Sequence, residues 1–208
     1  MFANRTTFLC VGLIALAGCA GMSEQACVSA DWRTIGFTDG SLGRSAATIG
    51  TYSHQCGEHG VTADLNAYRA GHAEGVQTYC RPNNGFEVGH NGAAYQGVCP
   101  TNLERDFLPE YNAGHHLYEL ESALRGTDAR IAGDFRAQEN IKTELTQIAA
   151  TMIAVDTTAE QRVHLVTRSA ELGRHFGELT REIEQLQRER AGLERDLYDY
   201  QRTLAARN

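Results

Sequence analysis

The stretch LGRHFGELTREIEQLQRERAGLERDLYDYQRTL, residues 172–204, decides the fold of this chain. Apolar side chains recur along it at steps of three and four residues, from Leu172 to Leu204, with one interruption at Arg190. This spacing places them on one stripe of an α-helix and forms the heptad seam that is typical of coiled coils. A seam of this length predicts a partner helix, because an isolated apolar stripe would face water.

A second seam lies upstream and supplies the partner. It consists of Ile141, Leu145, Ile148, Met152 and Val155. Asp156-Thr157-Thr158 interrupts the pattern, and Thr157-x-x-Glu160 predicts a capping box that begins the next helix. Residues 101–208 are therefore predicted to contain a long antiparallel coiled-coil hairpin with its tip near 156–158.

Two residues interrupt the helical pattern of this region. Pro109 is expected to break or restart the first helix, because proline is tolerated only in the first turn of a helix. Arg190 takes a core position of the second helix, and counting back from the tip places it opposite Leu124–Asp128. Asp128 or Glu121 is expected to accept its guanidinium; otherwise its stem packs and its head reaches water.

Residues 1–18 have the pattern of a bacterial lipoprotein signal peptide. Arg5 is their only charge, an apolar run follows, and Leu16-Ala17-Gly18-Cys19 forms a lipobox. The apolar run is too short for a transmembrane helix. Cleavage before Cys19 is expected to leave its thiol carrying a diacylglycerol. Because Ala20 follows the cysteine, where an aspartate would favour the inner membrane, the predicted location is the outer membrane, lipid-anchored, on its periplasmic face.

The remaining cysteines predict disulfides. Processing removes Cys10 with the signal peptide and occupies Cys19 with lipid, which leaves Cys27, Cys56, Cys80 and Cys99. An even number of cysteines in an oxidising compartment predicts two disulfides, in one of three connectivities. The turn Pro82-Asn83-Asn84-Gly85 favours a bond between Cys80 and Cys99, and the bond between Cys27 and Cys56 then follows.

Composition divides the part before the hairpin into a lipidated tether, residues 19–26, and a head, residues 27–100. The head is rich in cysteine, glycine and aromatic residues. Asp64 to Tyr79 is predicted to be helical from its apolar spacing. Phe86 to Cys99 fits either a short β-hairpin or an irregular glycine-rich loop.

An aromatic residue followed by Gly at +3 and His at +4 recurs in and just after the head. The three copies are Tyr68-x-x-Gly71-His72, Phe86-x-x-Gly89-His90 and Tyr111-x-x-Gly114-His115. Glycines one helical turn apart, Gly36/Gly40 and Gly71/Gly75, allow another backbone to approach closely. We expect these glycines to be packing and turn positions.

No catalytic constellation is recognisable in the sequence. Gly40-Ser41-Leu42-Gly43 lacks the spacing of a nucleophile elbow, and no P-loop, dinucleotide fingerprint or His-Glu-x-x-His motif occurs. Asp31, Asp39 and Glu74 are expected to be helix caps and turn acceptors. The chain is therefore predicted not to be an enzyme, and neither a cofactor nor a metal is expected.

The histidines carry the alternative hypotheses. If the repeats pack together, His72, His90 and His115 converge and line a ligand-binding or hydrolytic head that acts on envelope glycans. His54-x-Cys56-x-x-His59 resembles the spacing of metal ligands and is the basis of a metal-binding head, although Cys56 is expected in a disulfide. The net charge of −7 argues against nucleic acid as a partner.

Several motifs together resemble a known family. They are the lipobox, Asp31-Trp32 with Ile35-Gly36 and Asp39-Gly40, Tyr79-Cys80, Asn84-Gly85-Phe86 with Gly89, Tyr95-x-Gly97-Val98-Cys99-Pro100, and Tyr111-x-x-Gly114. In these the chain resembles a domain-of-unknown-function family of small Gram-negative (proteobacterial) envelope lipoproteins, and the resemblance includes the helical tail. It implies the envelope location and the helical hairpin, but no activity and no catalytic residues.

The sequence thus predicts a mainly α protein, with a small disulfide-stapled, Gly- and aromatic-rich head followed by a long antiparallel coiled-coil helical hairpin. The expected role is that of an uncharacterised cell-envelope lipoprotein with a non-enzymatic structural or partner-docking function in the periplasm. The expected partners are the membrane that holds the lipid anchor and a protein bound through the hairpin.

Overall fold

A computed structural model describes residues 21–207. The signal peptide and the predicted lipidation site Cys19 lie outside the described residues. Within residues 21–207 the regular structure is entirely helical, with no strand. One 3₁₀ turn spans Ala46–Thr48, and the α-helices are α1 (Glu24–Val28), α2 (Trp32–Ser41), α3 (Ile49–Gly57), α4 (Leu65–Tyr79), α5 (Pro82–His90), α6 (Thr101–Ile153) and α7 (Ala159–Ala205). None of these helices is long and apolar enough to cross a membrane.

The chain folds as two compact units. The first contains the residues up to Cys80 together with Gln96–Pro100, and the second contains Arg81–Tyr95 and the residues from Thr101 onward. The division differs from the predicted boundary at residue 100, because α5 packs against α6. Each unit therefore contains one pair of packed helices formed from the glycine-rich part of the sequence.

The first unit is built on α2 and α4, and both helices begin at an aspartate. Asp31 accepts hydrogen bonds from the backbone N–H groups at the start of α2, and Asp64 does the same for α4. These caps satisfy donors that would otherwise lack partners in the first turn. The helix predicted from Asp64 to Tyr79 is confirmed. Its buried Tyr68 packs in a core with Cys27, Trp32, Ile49, Cys56 and Ala63.

Two disulfides are present in the first unit. Cys27 is bonded to Cys56 and Cys80 to Cys99, which is the connectivity expected from the sequence. The turn on which that expectation rested does not form, because Pro82 to Gly85 are the first residues of α5. All four cysteines are buried. Each bond joins a cysteine that precedes the first helix of a packed pair to a cysteine between the two helices of that pair. The Cys27–Cys56 bond does this for α2 and α4, and the Cys80–Cys99 bond does it for α5 and α6. The crosslinks therefore restrict the loops that bring each pair together, which lowers the entropy of the unfolded chain.

The second unit begins with a helix where the sequence analysis expected a hairpin or a loop. Pro82 occupies the first turn of α5, where its fixed φ and missing N–H are tolerated. The helix continues to His90, so both alternatives for Phe86 to Cys99 are wrong in their first part. The reason is tertiary: Gly85 and Gly89 are buried against α6, which overrides their low helix propensity.

The predicted break at Pro109 does not occur, because α6 runs without interruption from Thr101 to Ile153. A proline inside a helix costs about 3 kcal/mol. Packing around it offsets this cost: Phe107 is completely buried and Ala113 and Leu117 are buried on the following turns. The continuity of α6 at Pro109 therefore depends on packing and not on local helix propensity.

The two long helices form a hairpin, with residues 154–158 connecting them. Thr158 caps α7 in a capping box with Gln161, one residue later than predicted. Side-chain contacts run in opposite directions along the two helices, from Arg168–Glu144 near the tip through Gln138–Thr180 and Arg190–Asp128 to the Tyr200 hydroxyl on the carbonyl of Ala113. The seam buries Ile141, Ile148, Leu172, Leu179, Ile183 and Leu186.

Arg190 donates to Asp128 at 2.6 Å, one of the two acceptors that the sequence analysis proposed, and it also contacts Glu194. These charges are largely exposed, and exposed ion pairs stabilise little. Leucine at this core position would instead continue the apolar seam. We expect Arg190→Leu to raise the thermal midpoint of the second unit by about 2–4 °C. Arg188→Leu, at an exposed position, is the control, and a fall in the midpoint for Arg190→Leu would contradict the expectation.

Candidate functional site

Glycines allow α2 and α4 to pack backbone against backbone. A Cβ atom on Gly36 or Gly40 would collide with the main chain of α4, and one on Gly71 or Gly75 would collide with the main chain of α2. The nearest atom is a carbonyl oxygen in every case, those of Tyr68, His72, Arg33 and Phe37 respectively. No residue other than glycine fits at these positions without moving a helix.

The second unit repeats this contact between α5 and α6. A Cβ atom on Gly85 would lie 2.7 Å from the carbonyl oxygen of Phe107, and one on Gly89 would collide with that of Tyr111. Gly114 of α6 meets the main chain of α5 in the same way. The first third of α6 therefore plays the part in this unit that α4 plays in the first.

The correspondence between the two pairs extends to the turn that follows the first helix of each pair. Gly43 and Gly92 both have positive φ, near 70°, a conformation that favours glycine. Each of them lies against a tyrosine ring of the second helix, Tyr79 in the first unit and Tyr118 in the second. A side chain at either glycine would therefore be strained and would also meet an aromatic ring.

A hydrogen bond from the second helix fixes the residue after this glycine in both pairs. Nε2 of His72 bonds the carbonyl of Arg44 at 2.8 Å in the first unit. The hydroxyl of Tyr111 donates to the carbonyl of Ala93 at 3.1 Å in the second. The acceptors are equivalent, since each is the carbonyl that directly follows the glycine of positive φ.

Leu42 is the C-cap residue that follows α2, and Asn91 is the C-cap residue that follows α5. The turn that follows is closed by the same bond in both units, from the N–H of Arg44 to the carbonyl of Asp39 and from the N–H of Ala93 to the carbonyl of Val88. The two helix pairs are thus two versions of one structural motif.

The structure corrects the register of the sequence repeat. Phe37-x-x-Gly40 of α2 takes the place that Phe86-x-x-Gly89 takes in α5, and His72-x-x-Gly75 of α4 takes the place of Tyr111-x-x-Gly114 in α6. The predicted copy Tyr68-x-x-Gly71-His72 is therefore one helical turn out of register. It looked equivalent because Gly71 makes a further backbone contact, with Arg33, one turn before Gly75.

The first unit contains a buried polar network that the second lacks. Asp39 is only 2% exposed, and its carboxylate accepts hydrogen bonds from the hydroxyl of Tyr68 at 2.8 Å and from Nη1 of Arg44 at 2.9 Å. The hydroxyl of Tyr52 is 3.4 Å from the same carboxylate. The matching positions of the second unit hold Val88 and Phe107, which are apolar.

The role expected for Asp39 is wrong, because its side chain is a buried acceptor between two helices. Asp31 caps α2 as expected, and Glu74 pairs with Arg33 on the surface, but Asp39 is neither a cap nor a turn acceptor through its side chain. A signal was present in the sequence: Asp39 lies on the same face of α2 as Gly36 and Gly40, the face that packs against α4. A carboxylate on such a face needs buried partners.

The network makes the first unit sensitive to alkaline pH. Burial, and then the hydrogen bond to Asp39, raise the pKa of Tyr68 well above its ordinary value of 10. The unfolded chain therefore releases this proton near pH 10 while the folded chain keeps it, so the free energy of unfolding falls as the pH rises above about 10. We expect the urea midpoint to fall between pH 9 and pH 11, and to fall less in Tyr68→Phe. An equal fall in the two proteins would contradict this.

The three candidate histidines have separate roles. His72 is buried in the first unit, where its ring stacks on Tyr68. His90 and His115 belong to the second unit, and their rings contact Glu121 and Glu119, each at 3.4 Å. Each histidine thus has its own hydrogen-bond or ion-pair partner within its unit.

The proposed metal spacing is not completed in the structure. Cys56 is bonded to Cys27, so its thiolate is not free to act as a ligand. Over residues 21–207, no group of three or more His, Cys, Asp or Glu side chains is arranged to hold a metal ion. A surface hollow of about 400 Å³ in the second unit is lined by Asn83, Phe86, Glu87, Glu110, Leu204 and Arg207, a set that includes none of the three candidate histidines.

Four exposed apolar side chains lie near the tip of the hairpin, between residues 153 and 166. Val155 is fully exposed, Ile153 is 84% exposed, and Val163 and Val166 are more than half exposed. The seam between α6 and α7 buries its own apolar side chains, so these four are additional to it. The assignment of Val155 to the seam is therefore wrong, because α6 ends at Ile153 and Val155 lies in the connection that follows. Exposed apolar side chains that cluster in this way are typical of interaction surfaces.

Together, these features define a helical protein with two disulfides, built from two glycine-lined helix pairs, the second of which continues into a long hairpin. Residues 31–116 form a domain of unknown function, and the family model that they match is described as "Protein of unknown function (DUF2799)". The match begins at the cap of α2 and ends just after the glycine contacts of α6, so it spans both helix pairs. The hairpin beyond residue 116 lies outside it. No curated protein and no solved structure matches the chain.

Proposed function

We propose that this chain is a non-enzymatic protein of the cell envelope, anchored by lipid at Cys19 in the outer membrane on the periplasmic side, whose hairpin is a contact arm. The observation that carries the proposal is the exposed apolar tip formed by Ile153, Val155, Val163 and Val166. These side chains do not stabilise the hairpin, because they are exposed and the seam between α6 and α7 is already formed by other residues.

The seam itself supports the role of an arm. We propose that the apolar residues at heptad spacing pack as a coiled coil. Within this seam, the side-chain amide of Gln138 donates a hydrogen bond to the hydroxyl of Thr180 at 2.8 Å. A partly buried polar pair of this kind favours one alignment of two helices over others. The arm thus holds its tip at a defined distance from the base of the hairpin.

The two disulfides support the envelope location. Such bonds form and persist in oxidising compartments, of which the periplasm is one. Their four cysteines are fully used, which leaves Cys19 for the lipid.

The anchor is tested by labelling cells with a radioactive fatty acid and fractionating their membranes. We expect label in the full chain, recovery with the outer membrane, and loss of both in Cys19→Ser. Cys10→Ser is the matched control and should retain both. Unlabelled chain that is recovered in the soluble fraction would contradict the anchor.

The arm is tested separately by chemical crosslinking in intact cells with polar substitutions at the tip. Val163→Ser with Val166→Ser should leave the helical content unchanged and reduce the crosslinked products. Alanine at His72, His90 and His115 should leave the products in place wherever the protein still folds. If the crosslinked products were lost in a folded histidine variant but kept in the tip variant, the contact would lie in the head and not at the tip.

A further inference from the structure

A glycine pair in α7 has no partner helix among residues 21–207. Gly173-x-x-x-Gly177 has the same spacing as Gly36/Gly40, Gly71/Gly75 and Gly85/Gly89, each of which accommodates the backbone of a packed helix. A Cβ atom on Gly173 or Gly177 would meet nothing within 4 Å. Glycine inside a helix is unfavourable relative to alanine, and no contact in the part of the chain that the structure describes accounts for it here.

These glycines belong to a second stripe on α7, which we call the outer face. It consists of Ala159, Val163, Val166, Ala170, Gly173 and Gly177. The steps along it alternate between four and three residues, which is the spacing of a helix–helix seam. It is distinct from the seam toward α6, whose members in this part of the helix include Leu165, Leu172 and Phe176.

The outer face is apolar and open. Val163 is 67% exposed and Val166 is 54% exposed, and Ala159, Ala170 and Gly173 are exposed as well. Large side chains occupy the half of the stripe near the tip, and glycines occupy the other half. This gradient of size is what identifies the occupant.

We propose that the outer face binds a second copy of the chain, with the two α7 helices antiparallel and centred near Arg168. The proposal rests on the role of the hairpin as a contact arm and names its partner. A two-fold axis near residue 168 places Val163 opposite the partner's Gly173 and Val166 opposite the partner's Ala170. Each large side chain then meets a small one, and each glycine receives a side chain.

A parallel pair would not fit in this way. Identical residues would face each other, so valine would meet valine at one end and glycine would meet glycine at the other. The valines would hold the helices apart where the glycines need them close. The distribution of sizes therefore selects the antiparallel arrangement.

Charge complementarity supports the same alignment. Glu160 and Arg174 flank the outer face on its edge away from α6, and both side chains are exposed. In an antiparallel pair, residues at these equivalent edge positions face each other across the seam. The axis near residue 168 brings Glu160 opposite the partner's Arg174, and the symmetry makes this contact twice.

The glycine contact is tested with the full chain, extracted from membranes into a mild detergent and studied by sedimentation equilibrium. Gly173→Leu should weaken the dimer by about tenfold or more, because the added side chain occupies the space of the partner's Val163. Gly126→Leu is the matched control on α6, at an exposed glycine that also has open space. It should leave the dimer unchanged. A wild-type chain that remains monomeric at all concentrations, or a Gly173→Leu dimer as tight as the wild type, would overturn the proposal.

The charge contact provides a rescue that no other arrangement predicts. Glu160→Arg alone and Arg174→Glu alone should each weaken the dimer several-fold, because each places like charges opposite one another. The double variant restores both pairs and should return the affinity to within about twofold of the wild type. A double variant no tighter than the single variants would overturn the antiparallel alignment.

The two proposals fail in different ways. If the chain is a monomer in detergent but the tip still forms crosslinks to a different protein in cells, self-association is wrong and the contact arm stands. If neither a dimer nor a crosslink from the tip is found, the contact arm is wrong as well.

Discussion

Alanine at Gly71 is expected to destabilise the first unit by about 3 kcal/mol or more. The new Cβ atom would collide with the carbonyl oxygen of Arg33 and would lie 2.9 Å from the backbone nitrogen of Phe37, both of which belong to α2. Helix α2 would have to move away from α4, which would also open the contacts at Gly36, Gly40 and Gly75. The measurement is urea unfolding of the full chain in detergent, followed by circular dichroism with the disulfides intact.

Gly50→Ala is the matched control for this substitution. Gly50 lies in helix α3 of the same unit, and a Cβ atom there would meet nothing within 4 Å. Alanine at this position should raise the stability by up to about 1 kcal/mol, because it favours the helix. If the two variants changed the stability by similar amounts, the backbone contact between α2 and α4 would not be what holds the unit together.

The second large effect concerns Asp39. Asp39→Val is expected to cost about 3 kcal/mol or more, because it leaves the buried hydroxyl of Tyr68 without its acceptor and removes the partner of Arg44. Adding Tyr68→Phe should recover at least about 1 kcal/mol of this loss. The double variant reproduces the pair Val88 and Phe107, which the second unit already contains at the matching positions.

The thermodynamic cycle formed by the wild type, the two single variants and the double variant measures this coupling directly. Arg44 is half exposed, so its guanidinium can turn to water in the absence of Asp39. Additive effects of the two substitutions would show that Asp39 and Tyr68 do not depend on one another, contrary to the structure.

The hairpin could be predicted from sequence because its signal is local and repeated. The spacing of Leu172, Leu179 and Leu186 fixes one face of a helix, and the interruption at 156–158 marks the turn. Even Arg190 could be matched with Asp128 by counting residues from the tip. Each step needs only the period of the α-helix and the direction of the chain.

The helix pairs could be predicted only in part. The glycines at 36, 40, 71 and 75 indicate close approach of a backbone, but the sequence does not say which backbone approaches. Helix α5 was missed because Gly85 and Gly89 are poor helix formers, and only their burial against α6 makes the helix favourable. Tertiary contact also keeps α6 continuous at Pro109, against the local rule.

The candidate surfaces depend on burial, which the sequence pattern does not give. Asp39 could not be separated from an ordinary turn acceptor until α4 was placed beside it. In the sequence, Val163 and Val166 cannot be distinguished from the apolar residues of the seam. The distinction requires knowing which side of α7 packs against α6. Composition alone describes such residues as apolar and leaves open which of them face water.

The central claim is that the outer side of the hairpin makes the contacts of this protein. The most direct test is a photoactivatable crosslinking residue placed at Val163 in the full chain in living cells, with Arg195 as the control position. Arg195 is exposed on the same side of α7, about five helical turns beyond Gly177. We predict a discrete crosslinked product from Val163, of twice the mass of the chain, and none from Arg195. No product from Val163, or equal products from both positions, would contradict the account.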